Sequence, residues 1–246
     1  MSVAAADTVK MNTRTGHLPD VTDIDHPLVA ESVRAIAALR RRQLSVAEFQ
    51  SMIRALHDRL DLTACLAPWI ARALDERKDQ VLYRRTGDDG RETIQLFYIE
   101  PGEVHPPHAH HNIVSTQMVL HGQAHIREYD IIARLTPERL LLRLATDRWF
   151  QPGEAMRTTE IDRNMHWFAA GAQPAVMLNF NVYGCQDWTL DPPGQAFQRR
   201  IVDPTIEAQP DGLIIGHEIT LEAGYRKFAG RPLTDFAIPR YRSPAG

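Results

Sequence analysis

The chain has 246 residues, 43% hydrophobic and 24% charged, enough for one sizeable core or a core with a helical appendage. A formal net charge of −3 gives no electrostatic reason to expect nucleic acid or an anionic membrane as a partner. Two cysteines without a CxxC pair, Cys65 and Cys185, argue against a disulfide scaffold, and no apolar run approaches the roughly 20 residues that span a bilayer.

Residues 1–26 are polar and aperiodic and read as a loose arm without the apolar core of a signal peptide. The expectation is a cytoplasmic protein, monomeric or homodimeric, acting on a small molecule. From Leu28 to about Arg41 apolar residues recur at helical spacing. Ser45 and Glu48 form a capping-box pattern ahead of a second apolar face carrying Phe49, Met52, Ile53, Leu56 and Leu60. A third helix is expected over residues 64–76. Residues 27–80 therefore form a helical segment, and residues 81–246 a β-rich barrel with a C-terminal extension.

Beyond Val81 the residues favour strands. The runs 94–99, 113–120, 123–129, 139–144, 164–170 and 175–182 are short, rich in β-formers and punctuated by Gly122, Pro152-Gly153, Gly171 and Gly184. Many short strands with frequent turns indicate a sandwich or barrel. The Pro-rich tail after Asp191 reads as loops with an edge strand near 213–219.

The most informative stretch is Pro101-Gly-Glu-Val-His-Pro-Pro-His-Ala-His-His-Asn112. On a strand, residues two apart point the same way, so His108 and His110 face one point. Two converging imidazoles suit Fe, Zn, Cu or Ni. The third ligand must come from elsewhere, and His166, sharing a face with Asn164 and Phe168, is the best candidate. A pair of histidines alone is weak evidence, since a surface loop of histidines between prolines reads the same way. His111, His121 and His125 are read as solvated or hydrogen-bonded, and His105 as a spare ligand.

The spacing Gly102-x5-His108-x-His110, closed by Gly122, resembles the first motif of the cupin superfamily. The resemblance implies a double-stranded β-helix (jelly-roll) barrel with metal in its mouth, and Ser115 stands where the glutamate ligand usually falls. Three neutral histidines without a carboxylate leave open positions for a chelating substrate beside dioxygen, for which iron(II) is the usual metal. Residues 64–183 further resemble the cysteine dioxygenase family, through Leu66-Ala-Pro68, Arg72-Ala-Leu74, Tyr83-Arg-Arg85, the histidine pair, the lone His166 and the strand ending in Tyr183-Gly184.

That likeness implies Arg85 as the clamp on a substrate carboxylate, with Arg84 as understudy, and Tyr183 as the tyrosine near the metal. The chain departs from the family in carrying Asn179 and Asn181 where a serine and histidine support the tyrosine. Ser115 precludes the family's crosslink, and Gln117 adds an amide to the pocket. The implied activity is an iron(II) dioxygenase that oxidises a thiol carboxylate to its sulfinate. Cleavage of a carbon–carbon bond in a diketone or hydroxylated aromatic is the alternative, and a non-enzymatic metal- or ligand-binding barrel is the third reading.

Overall fold

Helices fill the N-terminal third of the computed structural model, which describes residues 21–22, 26–87, 90–185 and 198–241. They are α1 (Pro27–Arg40), α2 (Val46–Arg59), α3 (Leu62–Cys65) and α4 (Ala67–Glu76). The capping box at the start of α2 is formed: Glu48 N donates to Ser45 Oγ at 3.2 Å, and Ser45 N donates to the Glu48 carboxylate at 2.8 Å. The single helix expected over 64–76 is two. Asp61 caps α3 by accepting from Ala64 N, and Pro68 sits in the first turn of α4, where a missing N–H costs nothing. Within the expected loose arm, Val21–Thr22 pairs with Arg84 and Tyr83 as a short strand, β1; residues 1–20 lie outside the described residues.

The remaining strands are β2 (Gln80–Gly87), β3 (Gly90–Ile99), β4 (Val104–His111), β5 (Ile113–His121), β6 (Ala124–Thr136), β7 (Arg139–Phe150), β8 (Ala155–Thr158), β9 (Met165–Ala170), β10 (Ala175–Tyr183), β11 (Gln198–Ala208) and β12 (Leu213–Ile219). One sheet runs β1-β2-β3-β10-β5-β8; the other contains the run β4-β9-β6-β7. Successive strands from β3 to β10 pass back and forth between the sheets, with β6 and β7 paired as a hairpin. This ordering is that of the double-stranded β-helix, or jelly roll. The turn from β5 to β6 depends on Gly122, whose φ is +69° and where a Cβ would lie 2.2 Å from the Pro174 carbonyl oxygen.

Side-chain alternation sorts the core into three layers. Val114, Met118, Leu178, Phe180 and Val182 face the helices and pack with Phe49, Ile53 and Leu66. On the opposite side of the same strands, Val119, Ala175 and Met177 meet Ile126, Phe168 and Ala170 of the second sheet, forming the floor of the jelly roll. The outer face of the second sheet holds a third core built around Trp167, Tyr129, Leu142, Val202 and Phe228.

This third core corrects the reading of the tail as loops with one edge strand. β11 pairs with β4, and β12 pairs with both β11 and β7, so the six strands β11-β12-β7-β6-β9-β4 close a second barrel. Gly216 permits the tight interior, because a Cβ there would lie 2.6 Å from Leu142 Cδ1 and 2.7 Å from Val202 Cγ1. The helix α5 (Leu221–Phe228) and the turn at Leu233–Asp235 follow, delivering Phe228, Leu233 and Phe236 to that core. Among the described residues no helix is long and apolar enough to cross a membrane.

One buried histidine makes stability depend on pH. His57 of α2 is 4% exposed, lies against the Phe180 ring at 5.4 Å, and has no hydrogen-bond partner on either ring nitrogen. Burial is the main force lowering its pKa from 6.5 to about 4, with nearby Arg54 adding to it. The unfolded chain therefore binds a proton that the folded chain refuses. Stability is full above pH 6.5 and is lost as pH falls toward 4, the loss reaching about 2 kcal/mol at pH 5 from this group. His57→Leu is expected to flatten that part of the Tm-against-pH curve, measured by circular dichroism between pH 7 and pH 5. An equally steep decline in the variant would assign it to other groups.

Candidate metal centre

The second sheet lays one row of side chains across the jelly-roll interior. Reading from strand to strand, Glu128 of β6 pairs with His166 of β9, His166 with His108 of β4, His108 with Ile201 of β11, and Ile201 with Ile219 of β12. Directly opposed residues in an antiparallel pair point to the same side, so all five share one face. His110 stands two residues beyond His108 and pairs with Arg199.

Prolines 106 and 107 do not prevent this arrangement. The β4–β9 ladder shifts register between His105 and His108, which places the donor-less prolines where the ladder is already broken.

One nitrogen from each of His108, His110 and His166 lies within 4.8 Å of the others, and the ring centroids are 4.7–5.0 Å apart. The three are 1%, 4% and 0% exposed, so water does not satisfy them. His108 Nδ1 donates to the Pro106 carbonyl at 2.9 Å and His166 Nδ1 to the Arg163 carbonyl at 3.4 Å. A carbonyl can only accept, so each bond places the proton on Nδ1 and leaves the Nε2 lone pair available. His166 Nε2 and both nitrogens of His110 are buried without a partner. Orphaned buried imidazole nitrogens are costly unless something else binds them, and a cation in the space between them is the natural partner.

Burial depresses all three pKa values, that of His166 to about 3, and the Arg199 guanidinium pushes in the same direction. The imidazoles are therefore neutral donors across physiological pH. Asn164 secures the backbone behind them: its Oδ1 accepts from His110 N at 2.8 Å and its Nδ2 donates to the His110 carbonyl at 3.0 Å. His105, the expected spare, stacks on Phe168 at 5.2 Å and lies outside the three-nitrogen group. His111 turns to Glu160, 3.6 Å away, and His125 to Asp147, 2.8 Å away.

The first sheet supplies the opposite wall. Ser115, Gln117, Asn179, Asn181 and Tyr183 alternate with residues of the helix-facing core, so they face the second sheet. Gln117 Nε2 donates to Ser115 Oγ, Ser115 Oγ to Asn179 Oδ1, and Asn181 Nδ2 to Thr93 Oγ1, each at 3.4 Å. Asn181 Oδ1 is buried without a partner. Tyr183 ends this wall, with the Arg91 guanidinium 4.1 Å over its ring.

Arg85 is not part of the site. Its guanidinium holds Glu92 at 2.9 and 3.0 Å, Tyr83 Oη donates to the same carboxylate, and Arg40 of α1 binds it as well. That cluster sits on the helix side of the first sheet, with the sheet between Arg85 and the histidines. The cause is a register shift in the β2–β3 ladder between Val81 and Tyr83, which exchanges the faces of every residue after it. Arg84 pairs with Thr93 and takes the face turned to the second sheet.

Sequence reasoning also missed Glu128. It is 1% exposed, neither carboxylate oxygen has a hydrogen-bond partner, and the nearest cation is Arg163 Nε at 3.9 Å. Burial raises its pKa, and the charge of nearby Arg163 opposes the shift. The signal was present: Ala124, Ile126 and Glu128 alternate along one face, and a carboxylate ending an apolar face needs a reason.

The chain thus defines a class: a jelly-roll protein with a buried cluster of three histidines and no carboxylate within it. No family model matches the sequence, and no curated protein matches it. Among solved structures it is similar to a cupin superfamily protein from Desulfitobacterium hafniense, with 18% identity and a TM-score of 0.30 over 43% of this chain and 75% of that one. It is also similar to KdgF from Halomonas sp., with 14% identity and a TM-score of 0.32 over 43% of this chain and 76% of that one. Procruciferin, an 11S globulin from Brassica napus, is similar at 10% identity and a TM-score of 0.31 over 45% of this chain. The match spans 22% of that globulin's length.

Proposed function

We propose that this protein is a non-haem iron(II) dioxygenase that oxidises a small thiol carboxylate to its sulfinate. The observation that carries the reading is the donor set: three buried, neutral imidazoles grouped on two adjacent strands, with no carboxylate among the grouped ligands. His108, His110 and His166 would hold the metal. When bound, iron(II) supplies open positions for a chelating substrate and the redox partner for dioxygen.

The chain's own residues set the surroundings. Phe168, Met177 and Val119 close the floor with apolar surface and exclude water beneath the site. Asn179, Asn181 and Gln117 present amides, which donate and accept hydrogen bonds but do not carry protons. Glu128 is the one carboxylate beside His166 in the row, and its burial favours the protonated form. Oxidation of a thiolate to a sulfinate places both atoms of one dioxygen on sulfur and needs no external reductant.

An oxygen electrode with iron-loaded protein tests the reading, using cysteine, 3-mercaptopropionate and a 1,3-diketone. Uptake with a thiol carboxylate, matched one-to-one by sulfinate in the product, is expected. Uptake with the diketone alone would replace this reading by carbon–carbon cleavage, and uptake with none of them would remove the oxygenase assignment.

A further inference from the structure

With Arg85 turned to the helices, a carboxylate-bearing substrate needs another cation. Arg84 of the first sheet is one candidate, and the second barrel supplies another that lines a cleft with His108. Between β4, β11, β12 and α5 lies a cleft of about 420 Å³ whose wall includes His105, His108, Arg199, Ile201, Leu221 and Tyr225. Its size is in the range of small-molecule sites, about 300–1,000 Å³. It reaches the metal cluster through His108.

We propose that this cleft admits the substrate and that Arg199 binds the substrate's carboxylate. The inference rests on the metal reading above for what happens at the other end of the molecule. Arg199 is fixed by register: it pairs with His110, and directly opposed residues have Cβ atoms about 5 Å apart on the same face. Arg199 itself is exposed and lines the cleft together with His108, so its side chain is free to meet a carboxylate entering there.

The neighbouring cation is already committed. Arg200 holds Glu218 at 2.8 Å, and Glu218 also takes Arg134. Among the described residues no carboxylate lies within 4.0 Å of Arg199, and Asp79, which feels its charge, accepts a hydrogen bond from Tyr98 N instead. Planar guanidinium binds a carboxylate through two parallel hydrogen bonds, so an unengaged arginine beside a cleft discriminates acids from neutral analogues. Apolar walls complete the fit. Ile201 lies beneath α5, where a Cβ on Gly224 would come within 2.5 Å of Ile201 Cγ2, and Leu221 and Tyr225 line the same opening. Methylenes between thiol and carboxylate would rest on this surface.

The test compares 3-mercaptopropionate with 3-mercaptopropanamide, which differ in charge and little in shape. Binding to cobalt(II)-loaded protein is read from the thiolate-to-cobalt charge-transfer band, and binding to metal-free protein by ligand-observed NMR. Wild type is expected to prefer the acid at least ten-fold. Arg199→Gln should bring that ratio close to one while leaving the cobalt spectrum without ligand unchanged. Arg199→Lys should restore part of the preference, and Arg85→Gln should keep all of it. An undiminished preference in Arg199→Gln, or none in wild type, overturns the proposal. A protein that takes up no cobalt would end the metal reading, yet the ratio in metal-free protein would still decide the role of Arg199.

Discussion

His108→Ala, His110→Ala and His166→Ala are each expected to lower affinity for a divalent transition metal at least about a hundred-fold. A structural zinc site contributes about 10–16 kcal/mol through its few ligands, so each ligand accounts for several kcal/mol. The losses should be similar among the three variants, because all three nitrogens converge within 4.8 Å and none has a substitute in the group. His105→Ala is the contrasting case. Its ring is held by stacking on Phe168, and its removal should change metal affinity by less than about ten-fold. Competition against a chromophoric chelator reads all four values. Equal loss in His105→Ala would make it a ligand and redraw the site.

The second large effect concerns stability. Glu92→Ala is expected to destabilise the fold by about 3–5 kcal/mol, the usual consequence of leaving a nearly buried cation, here Arg40, without its carboxylate. Glu92 is buried and gathers Arg40, Arg85 and Tyr83. Arg40 also donates to the carbonyls of Arg91 and Tyr183, at 3.1 Å each, so the cluster ties α1 to both β3 and the end of β10. For a chain of this size such a loss lowers Tm by roughly 6–20 °C. Metal affinity should hardly change, since a sheet separates this cluster from the histidines. Thermal denaturation with parallel metal titration separates the two outcomes. A shift below about 2 °C would show that the cluster contributes little.

What the sequence disclosed followed the range of the physics involved. The His108 and His110 pair was legible because strand alternation is local, and the Ser45–Glu48 cap because it spans four residues. His166 required a fold to bring β9 beside β4, which family resemblance supplied and spacing did not. The face of Arg85 was not legible. A motif fixes the order of residues, but one bulge between Val81 and Tyr83 decides which side of the sheet they meet. The second barrel was hidden for another reason: β11 contains Pro204 and several charged residues, so its burial follows from pairing with β4 and β12 rather than from hydrophobic pattern. Arg199 and Glu128 were missed with it, since both acquire meaning from their register partners His110 and His166.

The proposed chemistry follows from a metal held by three imidazoles and no protein carboxylate. X-ray absorption at the iron edge, on protein reconstituted anaerobically with iron(II), tests it most directly. Three imidazole scattering sets at about 2.0–2.2 Å are expected, with the remaining positions filled by light oxygen donors, and two sets in His166→Ala. Fewer than three imidazoles in wild type, or a spectrum unchanged by His166→Ala, would contradict it.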